Sequence, residues 1–570
     1  MLSDYPIWAQ QFAEKYFSKT INQFILHGNV HDYVHVKQNE GSVFVRLKDF
    51  LSDELFGSRD IVLFYDRSGG VQFKDDASFK DFSRAVSGHD SYAGTDYANK
   101  VPKDPVRVFA LLENYFRLRV AEGKSIAVII DYAETIIPMS DSAASSAEDR
   151  NALVFLQKWA HDPILLQADF SLVLLTENLN DLNKSLVQSP YTTEIKMALP
   201  LVDERSIFIK HFTQKFKENL VLEIGENVLA QQTAGLSFVN LQSLLAGSVE
   251  NKKPITSDFL SKAKKELIEA EAYGLLEFVE TKYDLSVVAG HTQVKQHLLE
   301  ASVALKNGRS DVMPMGYLVC GPVGTGKTFL ITCFASEIGV PMVKLKNFRS
   351  QWQGVTEGNL EKILTILKAM APVAVMIDEA DAYLGDRNSG GDSGVSSRVF
   401  ATIASFMSNT DHRGKIIWFL MTARPDLMPV DLKRQGRAEE HLALFYPITK
   451  EERIELFTAM KKKTQLAVLD DIIPSSILSG EYKLSGADME AALTRSKFKA
   501  AARDMEIVTA ELIDEVLEDF IPPTYPEEIE LQILCAVMEC TSKNLLPEPY
   551  KSMSRTEIAE RIEELKMFIR

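Results

Sequence analysis

The sequence predicts an α/β protein in which a parallel sheet with crossover helices is followed by a small helical lid, and it predicts that this plan occurs twice. Between residues 283 and 445, short apolar runs alternate with helical patterns. Residues 448 to 520 then contain three helical patterns and no strand pattern. The first half repeats this order in a weaker form, which favours an internal duplication of roughly 270 and 240 residues over an unrelated α/β domain.

The elements of the second half follow from its apolar patterns. The predicted strands are MGYLVC (315–320), PMVKLK (341–346), VAVMID (373–378) and KIIWFLMT (415–422). The predicted helices run from Thr328 to Ile338 and over NLEKILTILKAM (359–370) and VFATIASFMSN (399–409). VAVMID and KIIWFLMT are apolar at every position between their first and last residues, as expected of strands covered on both faces.

Helical patterns alone follow this α/β stretch. The predicted lid helices are TKEERIELFTAM, DMEAALTRSKFKAAARDM and TAELIDEVLEDF, and Pro522 and Pro523 end the last one. Two further helical patterns, EEIELQILCAVMEC and SRTEIAERIEELKMF, form the tail, and Ser554 and Glu557 have the spacing of a capping box. We expect a docked helical tail rather than a separate functional device.

The first half carries the corresponding patterns. Its predicted strands are FILHGNV (24–30), IAVIID (126–131) and FSLVLLTEN (170–178), and its later helices are FVNLQSLLAGSVENK and SDFLSKAKKELIEAEAY. The predicted domains are a first module at 1–275 (α/β core about 1–200, lid about 201–275), a second core at 283–445, its lid at 446–522 and a tail at 523–570.

Composition excludes some classes of function. The chain has 570 residues and a formal net charge of −16, and such an acidic surface repels nucleic-acid backbones. No apolar run approaches the roughly 18 residues of a membrane span, and the amino terminus lacks a signal-peptide pattern, so we expect a cytoplasmic protein. The four cysteines, Cys320, Cys333, Cys535 and Cys540, are expected to be buried free thiols.

A phosphate-binding loop follows the first strand of the second core. The loop consists of Gly321, Pro322, Val323, Gly324, Thr325, Gly326, Lys327 and Thr328, with Phe329 next in the expected helix. It fits G-x-x-x-x-G-K-[ST] between a strand and a helix, where curled backbone N–H groups and the helix N-terminus face phosphates. Lys327 would reach the outer phosphates and the Thr328 hydroxyl would ligate Mg²⁺. The predicted cofactors are therefore ATP and Mg²⁺.

An acidic pair follows the buried strand VAVMID. Asp378 and Glu379 lie at the carboxyl end of that strand, where open α/β sheets bind ligands. Asp378 would hold Mg²⁺ directly or through water, and Glu379 would polarise the attacking water as general base.

The order of these motifs resembles a known family. GPVGTGKT, MIDEAD, TARPDLMPVDLKRQGR and SGAD are similar to the motifs of AAA ATPases with a second region of homology, in the AAA+ superfamily, over about residues 283–520. The resemblance implies an AAA+ P-loop NTPase core with a helical lid. It also implies an ATP-hydrolysing motor that remodels a protein substrate as a hexameric ring of identical chains.

The resemblance also implies roles for further residues. Ala289 and Gly290 would lie by the adenine, and Arg434 and Arg437 match the two arginine fingers that reach a neighbouring subunit's γ-phosphate. The lid segment that closes over the nucleotide would be Ser485, Gly486, Ala487 and Asp488. Trp352, two positions before Gly354, matches the aromatic residue of the first pore loop, which would contact the substrate. The alternative is a buried core tryptophan.

Two departures from the family pattern stand out. The sensor asparagine falls at Ala423, which cannot contact the γ-phosphate, although Thr422 could substitute in part. The first module has no Lys-Thr pair after HGNVHDYV, has Tyr132 after Asp131, and has no R-x-G-R segment, so we expect it to have lost catalysis.

Three alternative interpretations concern a metal site, a scaffold role and a helicase. His27, His31 and His35 have a spacing that could ligate a metal on a helix, but their surroundings predict strand and turn. A slow nucleotide-switched scaffold is the alternative to a remodelling motor, and Ala423 favours it. A nucleic-acid helicase is suggested by Asp378-Glu-Ala-Asp381, but MTAR and RQGR differ from that family's segments and the charge is acidic.

Overall fold

A computed structural model describes most of the chain. The residues outside the description are 1–4, 39–40, 140–145, 217–219, 252–253, 273, 281, 308, 347–356, 385–394, 468–472, 481–483, 521–524, 549 and 570. The predicted pore loop with Trp352 therefore lies outside the described residues. The chain divides into two compact units, Met1–Ala272 with Gly354–Ala369, and Tyr273–Gln353 with Met370–Arg570.

The first unit contains a six-stranded sheet in the order β5-β4-β6-β7-β1-β8. Its strands are β1 (Gln23–Gly28), β4 (Ile61–Asp66), β5 (Gly70–Phe73), β6 (Ile126–Ile130), β7 (Phe170–Thr176) and β8 (Thr192–Met197). All neighbours are parallel except β4 and β5, which form an antiparallel pair at one edge. A separate antiparallel hairpin is formed by β2 (Tyr33–Gln38) and β3 (Gly41–Arg46).

Helices cover this sheet and form the helical part of the first unit. They are α1 (Ile7–Phe17), α2 (Leu47–Asp49, continued by a π-helix at Phe50–Leu55), α3 (Asp76–Ala93), α4 (Pro105–Ala121), α5 (Ala147–His161), α6 (Pro163–Gln167), α7 (Lys184–Val187), α8 (Val202–Lys215), α9 (Glu226–Gln232), α10 (Phe238–Asn251) and α11 (Ser257–Glu271). Every residue of β6 and β7 is buried, because helices pack on both faces of the sheet. An aromatic cluster of Phe109, Phe116 and Trp159 fills one side.

The second unit has its own six-stranded sheet, in the order β14-β10-β13-β12-β11-β9. Its strands are β9 (Leu276–Val279), β10 (Gly316–Cys320), β11 (Met342–Leu345), β12 (Val373–Ile377), β13 (Ile416–Thr422) and β14 (Glu440–Ala443). All neighbours are parallel except β9, which pairs antiparallel with β11 at the edge. The α/β core is thus duplicated, as the sequence predicts.

The remaining helices comprise crossovers, a lid and a tail. The crossover helices and the helix before the sheet are α12 (Thr292–Lys306), α13 (Lys327–Ile338), α14 (Glu357–Met370), α15 (Ala380–Leu384) and α16 (Val395–Met407). The lid consists of α17 (Lys450–Lys463), α18 (Ser475–Ser479), α19 (Gly486–Ala502) and α20 (Ala510–Asp519), and the tail of α21 (Pro526–Glu539) and α22 (Arg555–Phe568).

Local signals explain several helix starts. Thr449 and Glu452 form a capping box before α17, and Ser485 and Asp488 form one before α19. The predicted box of Ser554 and Glu557 is confirmed at the start of α22. Among the described residues, no helix combines the length and the apolar character needed to span a membrane.

Candidate active site

The phosphate loop joins the buried strand β10 to helix α13. Its glycines Gly321, Gly324 and Gly326 have φ values of 146°, 86° and 83°, which L side chains rarely adopt. A Cβ at Gly321 would lie 2.3 Å from the carbonyl oxygen of Leu444, and a Cβ at Gly324 would lie 2.8 Å from Oγ of Ser485. Only glycine therefore lets the loop curl so close to its neighbours.

Lys327 starts helix α13 and reaches back across the loop. Its Nζ donates to the carbonyl oxygens of Gly321 at 2.7 Å and Pro322 at 2.9 Å. Burial lowers the pKa of Lys327, and the carboxylates of Asp378 and Asp381 oppose this lowering. The ammonium group is thus held inside the loop, where a phosphate would replace these carbonyl contacts.

A hydroxyl and a carboxylate meet beside the loop. Thr328 Oγ1 donates to Asp378 Oδ2 at 3.4 Å. Both groups are hard oxygen donors, which Mg²⁺ prefers in protein phosphate sites, so these two residues would hold the ion. The same Asp378 oxygen lies 3.3 Å from Nζ of Lys344, which projects from the neighbouring strand β11.

Glu379 adopts a left-handed backbone conformation directly after strand β12. Its φ is 49°, and its N–H donates to Asp378 Oδ1 at 3.1 Å. This turn places an exposed carboxylate beside the buried end of the strand. A general base needs such access to a water molecule, so the position suits the predicted role.

These groups line one cavity of about 780 Å³. The predicted residues that line it are Ala289, Gly290, Val323, Gly324, Thr325, Gly326, Lys327, Thr328, Phe329, Asp378, Glu379, Thr422, Gly486 and Ala487. Gly321 and Pro322 shape the loop behind it through the contacts given above. Loop, acidic pair and lid segment, which are far apart in the sequence, therefore converge on one cavity of nucleotide size.

Comparison with known families agrees with this geometry. Residues 317–446 match the ATPase family associated with various cellular activities (AAA). Residues 2–198 and 203–273 match two families described as the N-terminal Rossmann-like domain and the second helical domain of an AAA+ chaperone. The chain is an AAA ATPase of the AAA+ superfamily.

The sequence matches to similar proteins extend over different fractions of this AAA ATPase. The cell division cycle protein 48 homolog of Archaeoglobus fulgidus is 24% identical over 457 residues, which are 72% of this chain and 61% of the relative. The uncharacterized AAA domain-containing protein ycf46 of Guillardia theta is 25% identical over 69% of this chain and 83% of its own length. The ATP-dependent zinc metalloprotease FtsH of Pelobacter propionicus is 28% identical over 41% of this chain and 38% of its own. The chain thus spans less than two thirds of the archaeal relative.

The residues Gly290 and His291 of the AAA ATPase link the phosphate loop to the lid. Gly290 N donates to Oε2 of Glu455 on lid helix α17 at 2.9 Å. His291, with φ 53°, places Nε2 3.0 Å from the carbonyl oxygen of Thr325. The lid makes its own contact, since Gly486 N donates to the Gly324 carbonyl oxygen at 3.3 Å. Lid position and loop shape are therefore connected through hydrogen bonds, each of which involves a backbone group.

Thr422, which could substitute in part for the sensor asparagine, has its hydroxyl bonded within the protein. Its buried hydroxyl donates to Asp381 Oδ1 at 2.6 Å and accepts from Arg424 N at 2.8 Å. The hydroxyl proton is thus used within the protein. Ala423 also lines the cavity and brings no polar side-chain atom. Thr422 holds Asp381 in place here rather than presenting a free donor to the cavity.

The two predicted arginine fingers differ in accessibility. The Arg434 side chain is 61% exposed, whereas the Arg437 side chain is 11% exposed. Arg437 donates to the carbonyl oxygen of Asp431 at 2.8 Å, and burial lowers its pKa. Neither side chain is among the described residues that line the cavity of its own chain. Arg434 is therefore accessible to solvent, whereas Arg437 is held against its own chain.

Sequence reasoning missed several residues of the site. Lys344 is a cation among the apolar residues of β11, the strand beside the one that precedes Asp378. A charged residue in such a strand is a sequence signal that could have identified Lys344. Asp381 lines the cavity and accepts from Thr422, whereas its sequence pattern suggests only a helicase motif. Gln532 of the tail also lines the cavity, and its distance along the chain left no local signal.

Proposed function

We propose that this AAA ATPase hydrolyses Mg²⁺-bound ATP in its second module and uses the energy to remodel protein substrates. The observation that carries the proposal is the single cavity that joins the phosphate loop, the Thr328–Asp378 oxygen pair and Glu379. The matches to AAA+ chaperone domains support a protein rather than a nucleic acid as the substrate. The net charge of −16 agrees with that choice.

Each residue of the site has a distinct part in hydrolysis. Phosphates displace the carbonyl contacts of Lys327, whose ammonium then neutralises outer phosphate charge. Thr328 and Asp378 would hold a Mg²⁺ ion, which would supply positive charge against the phosphates. Glu379 orients a water molecule and accepts its proton. Asp381, fixed by Thr422, adds negative charge behind Lys327.

We further propose that the active form is a homo-oligomer, in the family's pattern a hexameric ring. Arg434 is exposed and does not line its own cavity, so an arginine for the γ-phosphate would come from a neighbouring chain. An arginine supplied in trans can neutralise charge on the transferred phosphoryl group. The predicted substrate contact by Trp352 and the cytoplasmic location stay predictions.

Subunit mixing tests this proposal. A Lys327→Ala chain cannot bind nucleotide but supplies Arg434, and an Arg434→Ala chain binds nucleotide but lacks the finger. Each variant alone should be inactive, and mixed assemblies should recover turnover at one class of interface. No recovery at any ratio, in complexes shown by native mass spectrometry to be mixed, would reject trans action.

A nucleotide-switched assembly factor is the second candidate, because Ala423 brings no sensor side chain to the cavity. The two candidates differ in their response to a protein substrate. A remodelling motor should hold substrate as the ATP-bound Glu379→Gln chain and release it from the wild type upon an ATP chase. A switch should bind its partner equally when a slowly hydrolysed ATP analogue replaces ATP.

A further inference from the structure

Helix α21 of the tail presents one line of polar side chains to the ATPase core. Gln532, Cys535 and Glu539 are spaced three and four residues apart, so they lie on one face of the helix. The helix packs against strand β14 and the turn Pro425–Leu427. Gln532 and Glu539 are seven residues apart, so they lie about 10 Å apart along the helix axis.

Gln532 contacts the phosphate loop. Its Oε1 accepts from the backbone N–H of Val323 at 3.3 Å, and the carbonyl oxygen of Val323 accepts from the hydroxyl of Tyr446 at 2.8 Å. The Val323 side chain itself is exposed. Its peptide groups are therefore held by the tail on one side and by the segment before the lid on the other.

Glu539 contacts the segment that carries the candidate arginine finger. Its Oε1 accepts from Nζ of Lys433 at 2.5 Å, and its backbone carbonyl oxygen lies 2.8 Å from Nδ1 of His441. Lys433 also donates to the Pro425 carbonyl oxygen at 3.0 Å and directly precedes Arg434. The Lys433 side chain is only 12% exposed, so this is a partly desolvated, charge-assisted contact.

Cys535 contacts the segment between these two points. Its thiol donates to Asp426, whose carboxylate also pairs with Arg424 at 3.0 Å. Burial and the neighbouring Asp426 raise the pKa of Cys535 to about 12, so the thiol keeps its proton for this bond. Arg424 directly follows Ala423 of the sensor region. The same helix face thus touches three segments of the ATPase site.

We infer that α21 is a rigid strut that couples the phosphate loop of one chain to that chain's own Arg434 loop, through Gln532 at one end and Glu539 at the other. Nucleotide binding rearranges the amides of the phosphate loop, and the Val323–Gln532 bond transmits this to the helix. The Glu539–Lys433 pair then transmits it to the backbone next to Arg434. A chain would thereby signal its own nucleotide state to the neighbouring site. Gln532 and Glu539 are positioning residues in this scheme, which rests on the proposed trans action of Arg434.

Mixed full-length assemblies test the strut directly. The donor chain carries Glu379→Gln, so that it binds ATP and supplies Arg434 without hydrolysing. The acceptor chain carries Arg434→Ala, so that it hydrolyses only with the donor's arginine. Gln532→Met in the donor chain removes the oxygen that accepts the Val323 hydrogen bond and keeps a side chain of similar size. It should lower the ATP turnover of the acceptor chain at saturating ATP at least about fivefold. The acceptor's KM for ATP should stay unchanged, because the acceptor's phosphate loop is intact.

Two controls separate coupling from folding. Glu527→Gln changes a carboxylate on the exposed first turn of the same helix and should leave the acceptor's turnover unaltered. Donor Glu539→Gln should lower turnover as donor Gln532→Met does, and the double change should lower it no further, because both act on one strut. Melting temperatures of the donors verify that they are folded.

The outcomes are distinct. Full turnover with a folded donor that carries Gln532→Met would overturn the strut. Multiplicative losses in the double variant would also overturn it, because two independent sites add in free energy. If the parent mixture without tail changes has no turnover, the proposed trans action of Arg434 fails, and the strut, which rests on it, is overturned while the proposed ATP site is not.

Discussion

The two sheets of the chain have the same strand order and differ at the residues that carry chemistry. The parallel orders β8-β1-β7-β6-β4 and β14-β10-β13-β12-β11 correspond strand for strand, and each has an antiparallel strand at the same edge. The glycine that ends the first strand is also shared. A Cβ at Gly28 would lie 2.6 Å from the Met197 carbonyl oxygen, as one at Gly321 would lie 2.3 Å from that of Leu444.

The turn after the acidic strand repeats this pattern. Tyr132 has φ 50° and its N–H donates to Asp131 Oδ1 at 2.9 Å, and Glu379 has φ 49° and its N–H donates to Asp378 Oδ1 at 3.1 Å. The first module therefore keeps the backbone of the turn without its catalytic carboxylate. Backbone geometry and catalysis depend on different residues of the same motif.

The lids are attached in different ways. In the first module, the buried carboxylate of Asp32 accepts from the N–H groups of Phe238 and Val239, both at 2.9 Å, at the start of α10. This is an anion on a helix N-terminus, a place that suits phosphate. In the second module, the corresponding lid helix begins at Gly486 beside the cavity. The first module thus closes on its own carboxylate, and the second leaves space for a nucleotide.

The largest effect is expected from Glu379→Gln. Loss of the general base should reduce ATP turnover about 10²- to 10⁴-fold while ATP binding persists. The matched change Tyr132→Phe in the first module should leave turnover unchanged. Steady-state phosphate release measures both. Wild-type turnover by the Glu379→Gln chain would refute the assignment of the second module as the catalytic one.

Asp32→Ala and Ser485→Ala compare how much each lid attachment contributes to stability. It leaves two helix N–H groups without their acceptor and should lower the stability of the first module by about 1–3 kcal/mol. Ser485→Ala, which removes the corresponding cap in the second module, should cost about 1 kcal/mol. Urea unfolding with and without ATP measures both costs. Because the first lid closes on a carboxylate, ATP should not restore the Asp32→Ala loss, and restoration would contradict the comparison.

The modules should respond oppositely to pH. Burial, aided by Lys196, lowers the pKa of His27 to about 4, so the first module loses stability as pH falls from 6.5 toward 4. The pKa of His441 is raised because bonds to Glu539 and Ala438 outweigh burial, so its contribution is present below pH 6.5 and is lost as pH rises through the folded value.

Hydrogen exchange of each module across this pH range checks both signs. Comparison with His27→Gln and His441→Gln isolates the two residues. A pH profile of the first module that is unchanged by His27→Gln would contradict the first part. The same result for His441→Gln in the second module would contradict the second part.

Lys344→Met should have the smallest effect. Lys344 pairs with Met376 across the sheet, two residues before Asp378, and Phe64 pairs with Ile129, two residues before Asp131. The second module therefore places a lysine of the neighbouring strand 3.3 Å from its strand-end aspartate, where the first module has a phenylalanine. Since Lys344 competes with a metal for Asp378, its loss should tighten Mn²⁺ binding about two- to fivefold, measured by electron paramagnetic resonance. Weaker binding would show that Lys344 supports the metal site.

Much of the second core could be predicted from its sequence. Strands β10, β12 and β13 are buried and almost entirely apolar, and Gly321 and Asp378 directly follow β10 and β12, so pattern and position agree. The short edge strands β9 and β14 were missed, because four residues carry little pattern. Helix α16 begins at Val395, four residues before the expected start, because VSSR is polar and lacks an apolar period.

The first module was harder to predict. The predicted strands do not include the hairpin of β2 and β3, the strand pair β4 and β5, or β8, although β4 is a buried apolar run that ends at Asp66. Partners of the site that lie far apart in the sequence, such as Asp32 with Phe238 and Gln532 with Val323, depend on tertiary packing. Local patterns do not encode such pairs.

The central claim is that one module of each chain binds and hydrolyses ATP while the other keeps only the fold. The stoichiometry of ATP bound to the Glu379→Gln chain, measured by equilibrium dialysis with labelled nucleotide, tests it most directly. We predict one ATP per chain, and none when Lys327→Ala is added. Two nucleotides per chain, or binding that survives Lys327→Ala, would contradict the claim.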